Sequence, residues 1–307
     1  MKKLSMKQTI IYLIVLVFMW GVNWPLTKLA LAYTPPILFA GMRTLIGGGI
    51  LIIFALPKYN TLRLKENWHI YLISSLFNII LYYGLQTIGL NYMPAGLFSA
   101  IVFLQPVLLG LFSWIWLGET MFGMKIIGLI LGSIGVFTLS ATGFNGSNSS
   151  FLGILLALGT AVCWSLGIVF MKKTNEQVDA IWTISIQLII GGLFLIGSGS
   201  VFEKWSEIIW NVPFISYLLV ISIFVIAIGW LIYFKLISSG EVSRVGSYTF
   251  LIPLVSILTS TLFLDEDITL NLLMGLMLIV ISILLVNYNN NPKINSEKDK
   301  VRLRRAM

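Results

Sequence analysis

Arg43 is a positive charge inside a long apolar run, and that run contains no carboxylate. An ionisable side chain is costly in hydrocarbon, so a charge in such a run is a candidate for function. Arg43 could attract the carboxylate of a solute or close a gate. It could equally support the structure, by bonding to helix-end carbonyls or by extending its side chain towards the membrane interface.

Aromatic rings and amides in other apolar runs could enclose an amphipathic solute. Asn23 has tryptophans close by on both sides, and Tyr82 shares a helical face with Gln86 because the two lie four residues apart. Each group alone could instead serve packing, an interhelical hydrogen bond or interfacial anchoring. Their concentration in corresponding runs favours a binding cavity. The candidate substrate-binding residues are Trp20, Asn23, Trp24, Arg43, Tyr82, Gln86, Gln105, Trp164, Trp230 and Tyr248.

Two prolines and two glutamates mark candidate positions for kinks and gates. Pro106 and Glu119 lie thirteen residues apart, and so do Pro253 and Glu266. A proline removes a backbone donor and bends a helix, which can free carbonyl groups. The glutamates have the position of helix-end residues at short turns, where they could be structural or could act as a gate or proton carrier.

Helices in a lipid environment must position these residues. The chain is 58% apolar and 10% charged, whereas roughly a quarter of the residues in a soluble domain are charged. A membrane-spanning helix needs about 20 mainly apolar residues. The sequence therefore predicts an all-α integral membrane protein. Its ten predicted transmembrane helices are 10–30, 36–56, 69–89, 95–117, 123–141, 151–171, 179–199, 213–235, 244–264 and 269–288.

The sequence also contains an internal repeat. At a shift of 147 residues, FLQPVLLGLFSWIWLGE (103–119) aligns with FLIPLVSILTSTLFLDE (250–266). At a shift of 144 residues, Trp20 aligns with Trp164. Because each copy has five spans, the second copy would enter the membrane in the opposite sense, which gives two inverted five-helix repeats. The predicted segments are an N-terminus at 1–9, a first repeat at 10–141, an external linker at 142–150, a second repeat at 151–288 and a basic tail at 289–307.

The basic residues predict the orientation of the chain. If the chain starts in the cytoplasm, seventeen of its twenty Lys and Arg residues fall in cytoplasmic segments. Such a bias is the usual pattern of membrane proteins. An even number of spans then leaves both termini in the cytoplasm, and we expect a multi-pass protein of the cytoplasmic membrane.

Several motifs together resemble one transporter family. The opening WGVNWPLTKLA, the arginine in FAGMRTLIGGG and the paired proline runs ending in LGE and LDE resemble EamA-type members of the drug/metabolite transporter superfamily. The resemblance covers about residues 10–288. It implies a small-metabolite transporter, commonly an exporter, with a central cavity lined by the first, third and fourth spans of each half. The second copy departs from the first, because Gln187 aligns with Arg43 and Gly167 with Asn23.

Other function classes lack their characteristic residues. One histidine (His69) and one cysteine (Cys163) leave no Cys-cluster metal site and little for an enzyme, which needs a positioned nucleophile with a base or metal ligands. Basic residues flank the apolar runs and form no face with aromatics, which argues against nucleic-acid binding. We expect no enzymatic activity, no metal and no cofactor. The expected partners are a small-molecule substrate and the lipid bilayer, with a homodimer left open.

The function predicted from the sequence is secondary transport. We expect an exporter of amino acids or related small metabolites that works by alternating access between the two repeats. Multidrug or cationic-amphiphile efflux and metabolite uptake are the alternatives. No Asp or Glu lies deep in a predicted span, which favours facilitated transport, exchange or coupling through an end carboxylate over a buried proton relay.

Overall fold

The structure is a computed structural model that describes residues 4–93, 95–144, 150–240, 242–264 and 270–288. Within these ranges the regular elements are helices and no strand occurs, which confirms the all-α prediction for them. The same ranges contain six helices that are long and apolar enough to cross a membrane: Met6–Ala30, Pro36–Thr61, Leu64–Gly89, Phe151–Thr174, Ala180–Phe202 and Val212–Ser239. Their length and composition confirm the membrane class of the chain.

The remaining predicted spans are also helical, but two of them are broken. The helices are Ala95–Val102 followed by Gln105–Leu117, Gly123–Phe144, Val242–Tyr248 followed by Leu251–Leu264, and Leu270–Asn287. The predicted spans 95–117 and 244–264 each consist of two helices, because the chain turns at 103–104 and at 249–250. Pro106 and Pro253 each lie in the first turn after a break. A proline is tolerated there because its missing N–H would have no partner.

Two of the long helices change their winding near the middle. Leu64–Gly89 contains a π-helical segment at Leu76–Leu81, and Val212–Ser239 contains one at Ile221–Ile228. A π-helix bonds each N–H to the carbonyl five residues back, so it alters which side chains share a face. Tyr82 follows the first of these segments directly, so the register of the aromatic residues beyond it depends on this local winding.

Helices from the two halves of the sequence pack on one another. The Pro36–Ala55 helix packs on Ala180–Phe202, and Gly123–Phe144 packs on Leu270–Asn287. Gly128 shows how close the second contact is, since a Cβ there would lie 2.9 Å from the carbonyl oxygen of Ser282. The two halves of the sequence therefore share one core.

Hydrogen bonds between helix ends define one end of the bundle. The carboxylate of Glu203, just after the Ala180–Phe202 helix, accepts hydrogen bonds from the backbone N–H groups of Ile37 and Leu38 at 2.9 and 2.8 Å. The N–H of Ile209 donates to the carbonyl of Tyr33 at 2.9 Å. We call this the Glu203 end.

The opposite ends of the same helices meet at a second site. The indole Nε1 of Trp182 donates to the carbonyl of Lys58 at 3.0 Å. The side-chain amide of Asn67 donates to the carbonyl of Gln177 at 3.2 Å. We call this the Trp182 end.

Candidate functional site

Aromatic side chains from both halves of the sequence meet in the core between the two ends. The ring centroid of Trp20 lies 5.5 Å from that of Trp164 and 4.8 Å from that of Tyr233. The rings meet edge-on or tilted, which are favoured geometries for aromatic pairs. This aromatic cluster consists of Trp20, Tyr82, Tyr83, Phe103, Trp164, Trp230 and Tyr233.

A small cavity lies among the rings of the cluster. Its lining residues are Trp20, Asn23, Trp24, Tyr82, Tyr83, Phe103, Trp164 and Val225. The cavity has room for about one water molecule. An organic solute does not fit into this volume, so the aromatic walls are closed in this conformation.

Arg43 lies beside the cluster and is fully buried. Its Nη1 donates to Thr27 Oγ1 and its Nη2 donates to Gln86 Oε1, both at 3.1 Å. Thr27 Oγ1 donates in turn to Asn23 Oδ1 at 3.2 Å. The guanidinium carbon also lies 4.7 Å from the ring centroid of Tyr83. A chain of polar contacts therefore links Arg43 to the cavity through Asn23.

The contacts of Arg43 are all with neutral groups. In the ranges that the structure describes, no carboxylate lies within 4.0 Å of its guanidinium. A buried charge needs hydrogen bonds or an aromatic face to offset its lost hydration, and the neighbours of Arg43 supply both. Its Nε has no hydrogen-bond partner. A carboxylate that entered the site would thus meet a guanidinium with a free donor.

Other polar atoms around the cluster are buried without hydrogen-bond partners. They are the Trp164 Nε1 and the Gln86 Nε2, together with the Tyr233 hydroxyl and the Gln105 side-chain amide, which lie next to each other without a hydrogen bond of normal geometry. Buried polar groups are nearly always hydrogen-bonded, so exceptions need an explanation. Water or the polar groups of a solute could satisfy these atoms when the cavity is open.

All but one of the predicted binding residues come together here. Trp20, Tyr82, Trp164 and Trp230 belong to the cluster, Asn23 and Trp24 line the cavity, Arg43 and Gln86 are bonded to each other, and Gln105 lies beside Tyr233. Tyr248 is the exception. It is half-buried, it ends the Val242–Tyr248 helix, and it makes no ring contact with the cluster among the described residues.

Five residues of the site were not among the predicted ones, including Val225, which lines the cavity. Tyr83, Phe103 and Tyr233 belong to the cluster, and Thr27 bonds to Arg43. The sequence carried a signal for two of them. Thr27 lies one helical turn after Asn23, and Tyr233 aligns with Gln86 at a shift of 147 residues.

Glu119, predicted as a helix-end or gating residue, joins two broken helices at the Trp182 end. Its Oε1 accepts a hydrogen bond from the N–H of Val242 at 2.6 Å, and its Oε2 accepts from the hydroxyl of Ser243. Lys125 Nζ lies 3.6 Å from the same Oε2. Glu119 therefore caps the start of the Val242–Tyr248 helix. Glu266 lies outside the described residues.

Gln187, which aligns with Arg43, forms a neutral amide pair with Asn78 of the first half. Asn78 Nδ2 donates to Gln187 Oε1 at 3.2 Å, and both side chains are fully buried. Gly167 makes room for this pair, since a Cβ there would collide with the Asn78 side chain. No group of three His, Cys, Asp or Glu side chains in the described part of the chain could hold a metal ion.

Comparisons with known proteins agree with this architecture. A solved crystal structure matches with a TM-score of 0.77 and 20% identity, covering 92% of this chain and 97% of that one, which shows a shared fold. The uncharacterized transporter YvbV of Bacillus subtilis (strain 168) is 63% identical over 94% of each chain. A probable amino-acid metabolite efflux pump of Escherichia coli (strain K12) is 29% identical over 87% of this chain and 90% of its own.

A family model gives the same assignment for both halves. The model of the EamA-like transporter family matches residues 7–141 and 151–288. These two matches cover the repeat units that the sequence suggested. The chain is a multi-pass membrane protein, and it belongs to the EamA-like transporter family.

Proposed function

We propose that this protein exports amino acids or related small metabolites by alternating access, with the aromatic cluster and Arg43 as its substrate site. The observation that carries the proposal is the set of buried polar atoms without partners around a closed aromatic cavity. The site is built from both halves of the sequence, as expected when two repeats move relative to each other. The Escherichia coli relative named as an amino-acid metabolite efflux pump supports the substrate class.

Contacts at the helix ends support the proposed ten-span inverted repeat. At the Glu203 end, Lys28 in the last turn of Met6–Ala30 donates to the carbonyl of Leu90. The Phe151–Thr174 helix begins close to Leu90, since the N–H of Ser150 donates to the carbonyl of Tyr92 at 3.2 Å. One of these helices ends where the other begins, as inversion of the second copy requires. The positive-inside bias supports a cytoplasmic location for the Trp182 end.

The same relationship appears in the packing of the broken helices. The Met6–Ala30 helix packs on Leu251–Leu264, and the Phe151–Thr174 helix packs on Gln105–Leu117. If each helix is replaced by its counterpart in the other copy, the first of these contacts becomes the second. A rocking motion of one copy against the other would therefore open the aromatic cavity towards one end at a time.

Arg43 is proposed to hold the carboxylate of the solute. A carboxylate brings a second ionised partner to the guanidinium and can bind it through two parallel hydrogen bonds, which a hydroxyl or a single amide oxygen cannot do. A substrate carboxylate would therefore compete well against the Thr27 hydroxyl and the Gln86 amide. The aromatic rings would cover the apolar part of the solute, and Asn23 would accept hydrogen bonds from it.

Ligand-dependent thermal stability tests this assignment. The purified full chain in detergent is heated with amino acids, other metabolites or cationic drugs, in parallel with Arg43→Gln and the matched control Arg63→Gln. Arg63 is exposed and pairs with Glu66 at the surface. A ligand at a hundredfold excess over its Kd stabilises the folded state by about 2.7 kcal/mol. We expect a carboxylate-bearing solute to stabilise the wild type and Arg63→Gln, but not Arg43→Gln.

Two other outcomes would redirect the proposal. Stabilisation by cationic amphiphiles alone, equal in both variants, would make Arg43 structural and favour multidrug efflux. Uptake without efflux of the stabilising solute in oriented liposomes would reverse the proposed direction. A variant that melts far below the wild type without ligand is replaced by Arg43→Lys, which keeps the charge and loses the bidentate geometry.

A further inference from the structure

A second cavity, of about 480 Å³, opens at the Trp182 end of the bundle. It shares no lining residue with the aromatic cavity. The lining residues are Tyr12, Lys58, Asn175, Val178, Asp179, Ala180, Ile181, Ile184, Ile228, Leu231, Ile232, Phe234 and Lys235. Its volume is that of a small-molecule site, which is roughly 300–1,000 Å³. We call it the basic cavity.

The rim of the basic cavity has two lysines that lack acidic partners. In the described ranges no carboxylate lies within 4.0 Å of the Nζ of Lys58 or Lys235. Asp179 is nearby, but its carboxylate accepts hydrogen bonds from the N–H groups of Ile181 and Trp182 at 3.0 and 3.4 Å, and so caps their helix. The rim therefore offers two exposed positive charges to a ligand.

One of these two charges, the ammonium of Lys235, contacts the side chain of Tyr12. Lys235 Nζ lies 3.2 Å from the hydroxyl of Tyr12 and 5.1 Å from the centroid of its ring. The contact holds the ammonium over the cavity mouth, between the Met6–Ala30 and Val212–Ser239 helices. The Tyr12 hydroxyl can also donate to an oxygen of a bound anion.

The wall of the basic cavity is apolar and continues onto the outside of the bundle. Ile184 and Leu231 line its interior, and Ile228 at its edge is 38% exposed. Phe224, four residues before Ile228 on the same helix, is 49% exposed. An apolar path therefore runs from the lysines along a surface that faces hydrocarbon in a membrane.

We propose that the basic cavity binds an anionic phospholipid, with its phosphate between Lys58 and Lys235 and its acyl chain along Ile228 and Phe224. Basic pockets between transmembrane helices suit lipid head groups. A free phosphate would leave the apolar wall uncovered, and a neutral lipid would leave the two charges unpaired. The proposal is independent of the transport assignment, since it involves none of the residues of the aromatic cluster.

Native mass spectrometry of the full chain in detergent tests this proposal. The protein is titrated with phosphatidylglycerol, with phosphatidylcholine of the same acyl chains and with inorganic phosphate. The test variant is Lys58→Gln with Lys235→Gln. The matched control is Arg63→Gln with Lys173→Gln, which removes two exposed charges that do not line the cavity. Leu231→Trp fills the apolar wall and leaves the charges unchanged.

The expected pattern separates a site from general attraction to charge. Wild type and control should bind phosphatidylglycerol more tightly than phosphatidylcholine. The test variant should lose about 30-fold in affinity, from two basic contacts. Leu231→Trp should also weaken phosphatidylglycerol, and Lys58→Arg with Lys235→Arg should retain it.

Three results would overturn the site. The first is equal binding of both lipids, the second is an equal loss in test variant and control, and the third is displacement of phosphatidylglycerol by inorganic phosphate alone. Melting curves without lipid identify variants that fail to fold. If the double glutamine variant fails to fold, the lipid binding of Lys58→Arg with Lys235→Arg and of Leu231→Trp decides the outcome.

Discussion

The indole Nε1 of Trp230 donates a hydrogen bond to the hydroxyl of Tyr83 at 2.8 Å, and the two residues are 147 positions apart. Pro106 and Pro253 have the same separation. Residues that correspond in two copies and also touch each other must lie near the axis that relates the copies. The Tyr83–Trp230 contact therefore marks the position where the two halves pivot in the proposed mechanism.

Removing the Tyr83–Trp230 hydrogen bond should weaken the packing between the two halves of the chain. Tyr83→Phe deletes the acceptor and leaves the buried indole N–H of Trp230 unsatisfied, at a cost of about 1–3 kcal/mol. We expect a lower melting temperature in detergent and slower flux in liposomes. Tyr59→Phe, at an exposed tyrosine, is the control. Equal melting temperatures for the two variants would show that the contact is dispensable.

A carboxylate placed next to Arg43 should compete with substrate. Gln86→Glu puts a negative charge where Gln86 Oε1 now accepts from Arg43 Nη2 at 3.1 Å. The internal pair should preserve the fold while lowering affinity for carboxylate-bearing solutes at least tenfold, since it replaces a neutral acceptor with an ionised one. Ligand titration by thermal shift measures this effect. Unchanged affinity with an intact fold would separate Arg43 from the substrate.

Two lysines make equivalent contacts at opposite ends of the bundle. Lys28 donates to the carbonyl of Leu90, and Lys172 donates to the carbonyls of Ile237 and Gly240 at 2.7 and 3.1 Å. Leu90 and Ile237 correspond at a shift of 147 residues. A positive charge at a helix C-terminus is stabilising by about 0.3–1 kcal/mol, and by more when partly buried. Each lysine should therefore help to keep its own end closed.

Cysteine accessibility tests this pair in a Cys163→Ser background. Ala30→Cys reports on the Glu203 end and Met171→Cys on the Trp182 end, because both positions are buried. Lys28→Met should speed modification at position 30 by roughly fivefold and leave position 171 unchanged. Lys172→Met should do the reverse. Equal effects at both positions would indicate general loosening instead of separate closures.

The cap formed by Glu119 should matter for the fold of the ninth predicted span. Glu119→Ala removes the acceptor for the N–H of Val242, and loss of a helix cap costs about 0.5–2 kcal/mol. We expect a lower melting temperature, with partial recovery in Glu119→Gln. Glu207→Ala, at an exposed glutamate in another turn, should melt like the wild type. A wild-type melting curve for Glu119→Ala would contradict the capping role.

A methyl group at Gly229 should displace Trp20. A Cβ at Gly229 would lie 2.5 Å from the indole nitrogen of Trp20, which donates to the carbonyl of Val225 at 3.2 Å. Overpacking of this kind costs about 1–3 kcal/mol. Gly229→Ala should therefore reduce stability and solute binding together. Gly49→Ala, where a Cβ meets nothing within 4 Å, is the control and should retain both.

The sequence was sufficient to predict the membrane class, and it named most of the residues that the structure brings together around the aromatic cavity. The lengths of the apolar runs and the repeated motifs carry that information, and in the structure these apolar runs form helices. Facing rules predicted the role of Tyr82 but not that of Tyr83. The rule relates only residues three or four positions apart, and Tyr83 reaches the cluster through its neighbour Tyr82 and through Trp230 on another helix.

Tyr248 shows the other limit of the sequence-based prediction. A kink at Pro253 was predicted, and we expected Tyr248 to contribute to the cavity from the span that contains this kink. The helix instead ends at Tyr248 and restarts at Leu251. A proline indicates that a helix is interrupted, but the direction of the chain before it depends on packing that local sequence does not encode.

The difference between Arg43 and Gln187 has a consequence for the unloaded protein. Two identical inverted copies would give inward- and outward-facing conformations of equal free energy, related by a two-fold rotation, so each side of the membrane would be faced half of the time. A buried guanidinium in one copy and the neutral amide of Gln187 at the aligned position of the other remove that equality. Every 1.4 kcal/mol of difference biases the resting population about tenfold. In the proposed mechanism the empty carrier would therefore have a preferred side, and this preference would affect how quickly it returns for another solute.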